Sequence, residues 1–143
     1  MTAREVFELA LDAKLVIDAH ETRLQLMRER IGVQGRALES VFSQTLDPMR
    51  KVDDLIDWEI SEEAALASSY AAIAEAEEIL SGIVAMGGTD VERTLRLVYM
   101  DGLSLVEAGR RLGHEPTVVG LMVGEAFGWI DSVGIVKFKE AAR

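Results

Sequence analysis

Apolar residues recur at every third or fourth position along the first part of the chain. The stripe consists of Val6, Leu9, Ala13, Val16, His20, Leu24, Met27 and Ile31, and it is widened by Phe7, Leu11 and Leu15. This spacing is that of one face of an α-helix. The segment Thr2-Ala3-Arg4-Glu5 has the Ser/Thr-x-x-Glu form of a capping box, which marks a helix start. We therefore predict a first helix that ends at Gly32 and is about 43 Å long.

A second long helix is predicted to start at Asp47, which suits an N-cap, and Pro48, which suits the first helical position. Its apolar positions are Met49, Val52, Ile56, Ile60, Leu66, Tyr70, Ile73, Leu80 and Val84. The helix is expected to reach Met86, a length of roughly 58 Å. So long a helix must pair with the first helix, with a second subunit, or with both.

Residues 32–46 connect the two helices, and Gly32 and Gly35 predict that the connection is non-helical in part. Val41, Phe42 and Leu46 are too apolar for a free linker, so we expect them to pack back onto the helices. A flexible hinge is the alternative.

The last third of the chain contains three short helical patterns with clear start and end signals. Residues 89–92 and 104–107 are two further capping boxes, and the helices that they open are predicted to end at Gly102 and Gly113. A third helix begins with Pro116 at its first position. Its apolar side consists of Val119, Met122, Val123, Ala126 and Ile130. Three helices with such short connections predict a helix-turn-helix module.

Residues 97–113 of this module read LVYMDGLSLVEAGRRLG. This stretch resembles a motif of sigma-factor C-terminal domains, L-x-Y-x-(D/E)-G-L-S-x-x-E-I-A-x-x-L-G, which phage and prophage regulators of the ArpU/RinA type share. The order of the elements upstream is similar to that of an uncharacterised phage family. The resemblance implies a DNA-binding transcription regulator.

The charge of the chain is unevenly distributed. Residues 1–88 hold 17 acidic and 8 basic residues, whereas residues 89–143 hold 8 acidic and 7 basic residues. The module is therefore nearly neutral, and its third helix contains no Lys or Arg with which to contact bases or phosphates. The remaining candidates for DNA contact are Arg110, Arg111, His114 and Thr117, together with Lys137 and Lys139 in the tail. We expect that tail, after Asp131, to be a short extended arm, with its two lysines either on phosphate or around Phe138.

The third helix has a glycine stripe instead of a basic face. The stripe consists of Gly120, Gly124 and Gly128, and it is flanked by Val118, Leu121 and Trp129. Each interior glycine costs a helix about 1 kcal/mol relative to alanine, so the stripe predicts close contact with another helix. That helix belongs either to another protein chain or to this chain's own long helix. Both alternatives tell against DNA readout by this helix.

The chain offers no chemistry typical of an enzyme. It has no cysteine, and its two histidines, His20 and His114, lie far apart in sequence. No Glu-x-x-His pair accompanies the acidic residues of the second helix. We expect no catalytic residue, cofactor or metal, and we expect His20 to be a hydrogen-bonded core or interface residue. With no apolar run of membrane-spanning length and no signal peptide, the chain is expected to be cytoplasmic.

These patterns together predict an all-α protein. Residues 1–88 form a long antiparallel, coiled-coil-like hairpin, and residues 89–143 form the helix-turn-helix module. The expected function is that of a prophage-type transcription regulator. The alternative is a degenerate helix-turn-helix that serves dimerisation or protein interaction without DNA binding. We expect a homodimer, with DNA, RNA polymerase or another protein as further candidate partners and no membrane partner.

Overall fold

All regular secondary structure in the described part of the chain is helical, as the sequence predicts. The computed structural model describes the backbone of residues 1–43 and 48–143, and the side chains of residues 1–26, 29, 57 and 60–143. The elements are α1 (Ala3–Ser43), α2 (Pro48–Ala85), α3 (Thr89–Leu95), a π-helical segment (Arg96–Met100), α4 (Leu105–Leu112), α5 (Pro116–Val133) and α6 (Ile135–Ala141). They divide into two compact units, one made of Met1–Lys14 with Ser69–Arg143 and the other of Leu15–Ser68.

The first unit has a continuous core that joins the start of α1, the end of α2 and the C-terminal helices. Its largest fully buried side chains include Phe7, Ile79, Leu80, Ile83, Leu95, Ile130 and Phe138. At its centre the rings of Phe7, Tyr99 and Phe127 lie with centroids 5.3–6.0 Å apart in edge and tilted arrangements. Aromatic pairs in such geometry add stabilisation beyond their buried area. The core therefore extends across residue 88, between α2 and α3.

The start of α1 has the capping box that the sequence predicts. The Glu5 N–H donates to Thr2 Oγ1 at 3.3 Å, and the Thr2 N–H donates to Glu5 Oε2 at 3.2 Å. The Ala3 N–H donates to Asp131 Oδ1 at 2.8 Å, which ties the start of α1 to α5. These bonds satisfy N–H groups that the first turn of a helix leaves without partners.

The buried face of α1 differs from the predicted one. Leu9 and Val16 are exposed, whereas Ala10 and Ile17 are buried. Ala3, Ala10 and Ala13 form much of the buried face. Small side chains allow close packing but carry a weak hydrophobic signal, so the larger residues indicated a face that shares only Val6 and Ala13 with the buried one.

The predicted end of the first helix at Gly32 is wrong, because α1 continues to Ser43. The residues around Gly32 and Gly35 include strong helix formers such as Arg, Gln, Leu and Glu. A long helix can tolerate the cost of two glycines, about 1 kcal/mol each. The predicted packing of Val41, Phe42 and Leu46 lies outside the described side chains. The predicted start of α2 at Pro48 is confirmed.

The capping box predicted at Thr89 does not form. Gly88 is the N-cap of α3, and Thr89 is already the first helical residue. The Gly88 N–H donates to the Ile83 carbonyl at 2.9 Å, and the Gly88 carbonyl accepts from the Glu92 N–H at 2.9 Å. The connection from α2 is therefore so tight that α3 begins one residue early. α3 continues directly into the π-helical segment. There the Asp101 N–H donates to the carbonyl of Arg96, five residues earlier, which is the spacing of a π-helix.

The tail is a helix and not the extended arm that the sequence suggests. Gly134 has a φ of 103°, and α6 leaves α5 at an angle of 86°. This turn brings Phe138 into the core, where its ring lies edge-on to that of Trp129 with the ring centroids 4.9 Å apart. Burial of Phe138 overrides the weak helix propensity of the β-branched residues. Gly82 of α2 permits the approach, because a Cβ there would lie 1.9 Å from the Phe138 carbonyl oxygen.

In the second unit, α1 and α2 meet through a polar contact. His20 Nδ1 lies 2.7 Å from Glu62 Oε2, and Arg23 Nη1 lies 3.6 Å from Glu62 Oε1. The His20 side chain is 12% exposed, so the prediction of a hydrogen-bonded histidine is confirmed. Ile17 is buried beside this contact along α1, whereas Leu15, Val16 and Leu26 of α1 and Ile60 of α2 are exposed.

Candidate functional site

Local sequence signals position α4 and α5 as predicted. Ser104 Oγ accepts from the Glu107 N–H at 3.2 Å, so the capping box predicted at residues 104–107 forms the bond to its Ser side chain. Gly113 ends α4 in the left-handed conformation with a φ of 76°, and α5 starts with Pro116. The two helices are thus joined by the short turn 113–115.

A small second core holds these two helices together. It consists of Leu97, Ala108 and Val119, with Val98, Leu103 and Leu112 packed against it. Gly109 makes the approach possible, because a Cβ there would lie 2.4 Å from the His114 carbonyl oxygen. The same glycine's carbonyl accepts from the His114 N–H at 2.9 Å. The direction of α5 relative to α4 therefore depends on a missing side chain at Gly109.

Basic side chains gather around the end of α4. Arg110, Arg111 and His114 are exposed there, and Thr117 is exposed in the first turn of α5. The Arg93 side chain of α3 donates from Nη2 to the Arg111 carbonyl at 3.3 Å. The structure thus adds Arg93 to the candidates for phosphate contact. No local motif marks Arg93, because its position beside α4 is a consequence of the tertiary fold.

The other predicted basic candidates lie elsewhere on the first unit. Lys137 is exposed on α6, whereas Lys139 Nζ forms an ion pair with Glu75 Oε1 of α2 at 2.8 Å. Arg96 donates to Glu77 and Glu92, and its hydrogen bond to Glu77 is the main reason that the pKa of Arg96 is raised above its ordinary value. Its bonds to Glu77 measure 2.8 and 2.9 Å. Lys139 and Arg96 therefore serve contacts within the chain.

α5 has an apolar, exposed outer surface. We define this outer surface of α5 as Val118, Leu121, Gly124 and Gly128, together with Leu105 of α4. Leu121 is 65% exposed, and Val118 and Leu105 are 39% and 40% exposed. Leu105 Cδ1 lies 3.7 Å from where a Cβ of Gly120 would stand, which places α4 beside this surface. A Cβ added at Gly124 or Gly128 would meet no atom of the described residues within 4 Å.

Within the described part of the chain, the glycine stripe does not pack against α1 or α2. Contact with another protein chain stays a prediction. Trp129 belongs to a different surface, because its ring packs against Phe138 and faces the space between α3 and α5. Close helix packing inside the chain occurs instead at Gly82 and Gly109. A glycine pattern in one helix cannot identify which glycine has a neighbour.

A groove runs between α3 and α5 and was not predicted. It has a volume of about 310 Å³ and is lined by Asp90, Val91, Thr94, Met122, Glu125, Ala126 and Trp129. We call this the α3–α5 groove. A smaller pocket of about 180 Å³ adjoins it, shares Asp90, Thr94 and Met122, and is also lined by Arg93, Leu112 and His114.

Neither metal ligands nor a membrane span is evident in the part of the chain that the structure describes. There, no group of three or more His, Asp or Glu side chains is arranged to hold a metal ion. No single described helix is both long and apolar enough to cross a membrane; α5 and α6 reach that composition only as a pair, bent at 86°.

Comparisons of the chain with known protein families, with curated proteins and with solved structures find no match. The family membership expected from residues 97–113 stays a prediction.

Proposed function

We propose that this chain is a non-enzymatic helical interaction protein, in which residues 89–133 form a helix-turn-helix-type module that binds protein. The observation that carries the proposal is the composition of the outer surface of α5. Its exposed side chains are Val118 and Leu121 of α5 and Leu105 of α4, and α5 contains no Lys or Arg. Apolar surface of this kind is buried in protein contacts, whereas DNA readout requires donors to phosphates and base edges. Glu125, which is exposed on the same helix, would repel phosphate.

The scaffold in this proposal is an antiparallel pair of long helices. Within residues 15–68, the contact of His20 with Glu62 joins α1 to α2. Within the other unit, Phe7 near the start of α1 shares a core with Ile83 near the end of α2. Both observations support antiparallel pairing, and the short module then follows directly from the end of α2.

Self-association is part of the same proposal. Leu15 and Leu26 of α1 are 62% and 53% exposed, and Ile60 of α2 is 58% exposed. Leu15 and Leu26 lie 11 residues apart, or three helical turns, so both fall on one face of α1. A second copy of the chain that covers this face would give a two-fold homodimer.

DNA binding by a prophage-type regulator is the second candidate function. It is favoured by Arg93, Arg110 and Arg111, which the fold brings together at the end of α4. Residues 89–143 carry 7 basic against 8 acidic residues, so any binding would depend on these few phosphate contacts and would fall steeply with salt.

Two measurements on the purified full chain test these functions. Light scattering gives the oligomeric state, and a gel shift with mixed-sequence duplex DNA at low salt gives DNA binding. We expect self-association and no DNA shift. A shift that disappears in the Arg110→Ala/Arg111→Ala variant and persists in Lys137→Ala would favour the DNA-binding function and reject ours.

The outer surface of α5 is tested separately by two-hybrid or proximity selection with the wild-type chain and Leu121→Arg as baits. Leu121 is largely exposed, so this change should leave the fold intact. Partners that bind the wild type and fail to bind Leu121→Arg support the surface. If every partner binds both baits equally, the outer surface of α5 is not the binding surface.

A further inference from the structure

The α3–α5 groove combines an apolar floor with acidic edges. Val91, Met122 and Trp129 are partly exposed along it, and Ala126 leaves room between them because its side chain is a single methyl group. Trp129 is held in place by its edge-on contact with Phe138 at 4.9 Å. The floor of the groove is therefore fixed by the core of the first unit.

Two carboxylates border this floor, namely Asp90 of α3 and Glu125 of α5, and both are exposed. Among the described residues, neither forms an ion pair, whereas Glu75, Glu77 and Glu92 are each paired with a Lys or Arg. Arg93 lines the adjoining pocket, and its guanidinium donates to the Arg111 carbonyl. The chain also carries a net charge of −10. The groove thus has two carboxylates without an ion-pair partner among the described residues, next to an aromatic and apolar floor.

This combination is complementary to a basic side chain with an apolar stem. Arginine and lysine lay their methylene groups along apolar surface and keep the charged end at its edge. A tryptophan ring attracts such cations more strongly than other aromatic rings do. A volume of about 310 Å³ has room for a few side chains, but it lies at the lower limit for a pocket that encloses a small ligand.

We propose that the α3–α5 groove is a docking site for a basic, partly apolar segment of another protein, which places an arginine or lysine side chain between Asp90 and Glu125. The apolar neighbours of that side chain cover Val91, Met122 and Trp129. The residues that line the groove are different from those that define the outer surface of α5, although Glu125 lies one helical turn from Leu121.

The test uses the full chain with Trp58→Phe, which leaves Trp129 as the sole tryptophan. Random seven-residue peptides displayed on phage are selected against this protein, and the best binder is synthesised. A matched peptide carries citrulline in place of arginine, or norleucine in place of lysine, which removes the charge and largely keeps the shape. Binding is followed by the fluorescence of Trp129 and by calorimetry.

We expect the selected peptides to carry arginine or lysine beside an apolar residue and to change the Trp129 emission. The uncharged peptide should bind about three- to thirtyfold more weakly, because it loses an exposed charge pair with each of two carboxylates. Glu125→Gln should weaken binding by about three- to tenfold, and Glu125→Lys by more, whereas Glu140→Gln on α6 should have no effect. Glu125 is preferred to Asp90 for substitution because Asp90 also stabilises the first turn of α3.

Several results would overturn this assignment. One is that no peptide is selected, or that the selected peptides are neutral or acidic. Another is that binding to Glu125→Lys is as tight as to the wild type while circular dichroism reports an unchanged fold. A third is that binding leaves Trp129 emission unchanged and is lost in Leu121→Arg. That result would assign the peptides to the outer surface of α5 and leave the proposed function standing.

Discussion

Two glycines of this protein should respond in opposite directions to the same substitution. Gly82 of α2 faces the backbone of α6, where a Cβ would lie 1.9 Å from the Phe138 carbonyl oxygen, whereas at least 3.0 Å is needed. At Gly124 of α5, no atom of the described residues lies within 4 Å of the corresponding position. Both lie inside helices, so alanine improves the helix propensity of each by about 1 kcal/mol. The difference between the two variants therefore isolates packing.

For Gly82→Ala the packing cost outweighs the gain in propensity. The opposing atoms are backbone atoms, which cannot rotate away, so α6 must shift as a whole. Phe138 is fully buried at this point, and full burial of a phenylalanine contributes about 1.5–3 kcal/mol. We expect Gly82→Ala to lower the free energy of unfolding by about 1–3 kcal/mol, the usual range for overpacking. Gly124→Ala should raise it by about 0.5–1 kcal/mol.

Urea unfolding followed by circular dichroism at low protein concentration measures both changes. In a Trp58→Phe background, the emission of Trp129, which touches Phe138, reports whether α6 has shifted. A Gly82→Ala variant as stable as the wild type, with unchanged Trp129 emission, would refute the close packing of α6 on α2. A loss of stability in Gly124→Ala would mean that this part of α5 is covered in the isolated protein.

Two further predictions concern charge. If DNA is bound, Arg110→Ala/Arg111→Ala should weaken binding to all sequences alike and reduce its salt dependence, and an unchanged affinity in a gel shift would exclude this surface. Burial raises the pKa of Tyr99 above its ordinary value of about 10. The contribution of Tyr99 to stability is therefore fully present below about pH 10, and it is lost as the pH rises through the raised pKa. Tyr99→Phe should therefore reduce the loss of stability above pH 10 in urea unfolding, and equal losses in both proteins would contradict this assignment.

The helix starts and ends that local chemistry determines were predictable from sequence. The capping boxes at Thr2 and Ser104, the left-handed glycine at Gly113 and the prolines that begin α2 and α5 all depend on residues within one turn. The capping box predicted at Thr89 does not form although it has the same Ser/Thr-x-x-Glu pattern. The tight connection through Gly88 makes Thr89 the first helical residue instead of the N-cap. Tertiary geometry there overrides a local signal.

The functional surfaces were harder to predict because they are assembled from separate helices. The exposure of Arg110 and Arg111 follows from the polar side of α4, but the position of Arg93 beside them does not. The α3–α5 groove joins Asp90 to Glu125, which are far apart along the chain. Likewise, the burial of Phe138 could not be predicted locally, because it depends on the turn at Gly134 and on the space that Gly82 leaves for α6.

Self-association should depend on the exposed face of α1 that contains Leu15 and Leu26. These leucines are 62% and 53% exposed, so covering each in a dimer recovers about half of the 1.5–3 kcal/mol of full burial, or about 1 kcal/mol. A two-fold dimer contains four such leucines, which together contribute about 4 kcal/mol, equivalent to about a thousandfold in Kd. Leu15→Glu/Leu26→Glu should therefore yield a monomer at micromolar concentration in analytical ultracentrifugation. Leu9→Glu, an exposed leucine on a different face of α1, is the control and should dimerise like the wild type. Two results would show that this face of α1 is not a dimer interface. One is a wild-type chain that is monomeric at these concentrations, and the other is a double variant that dimerises as tightly as the wild type.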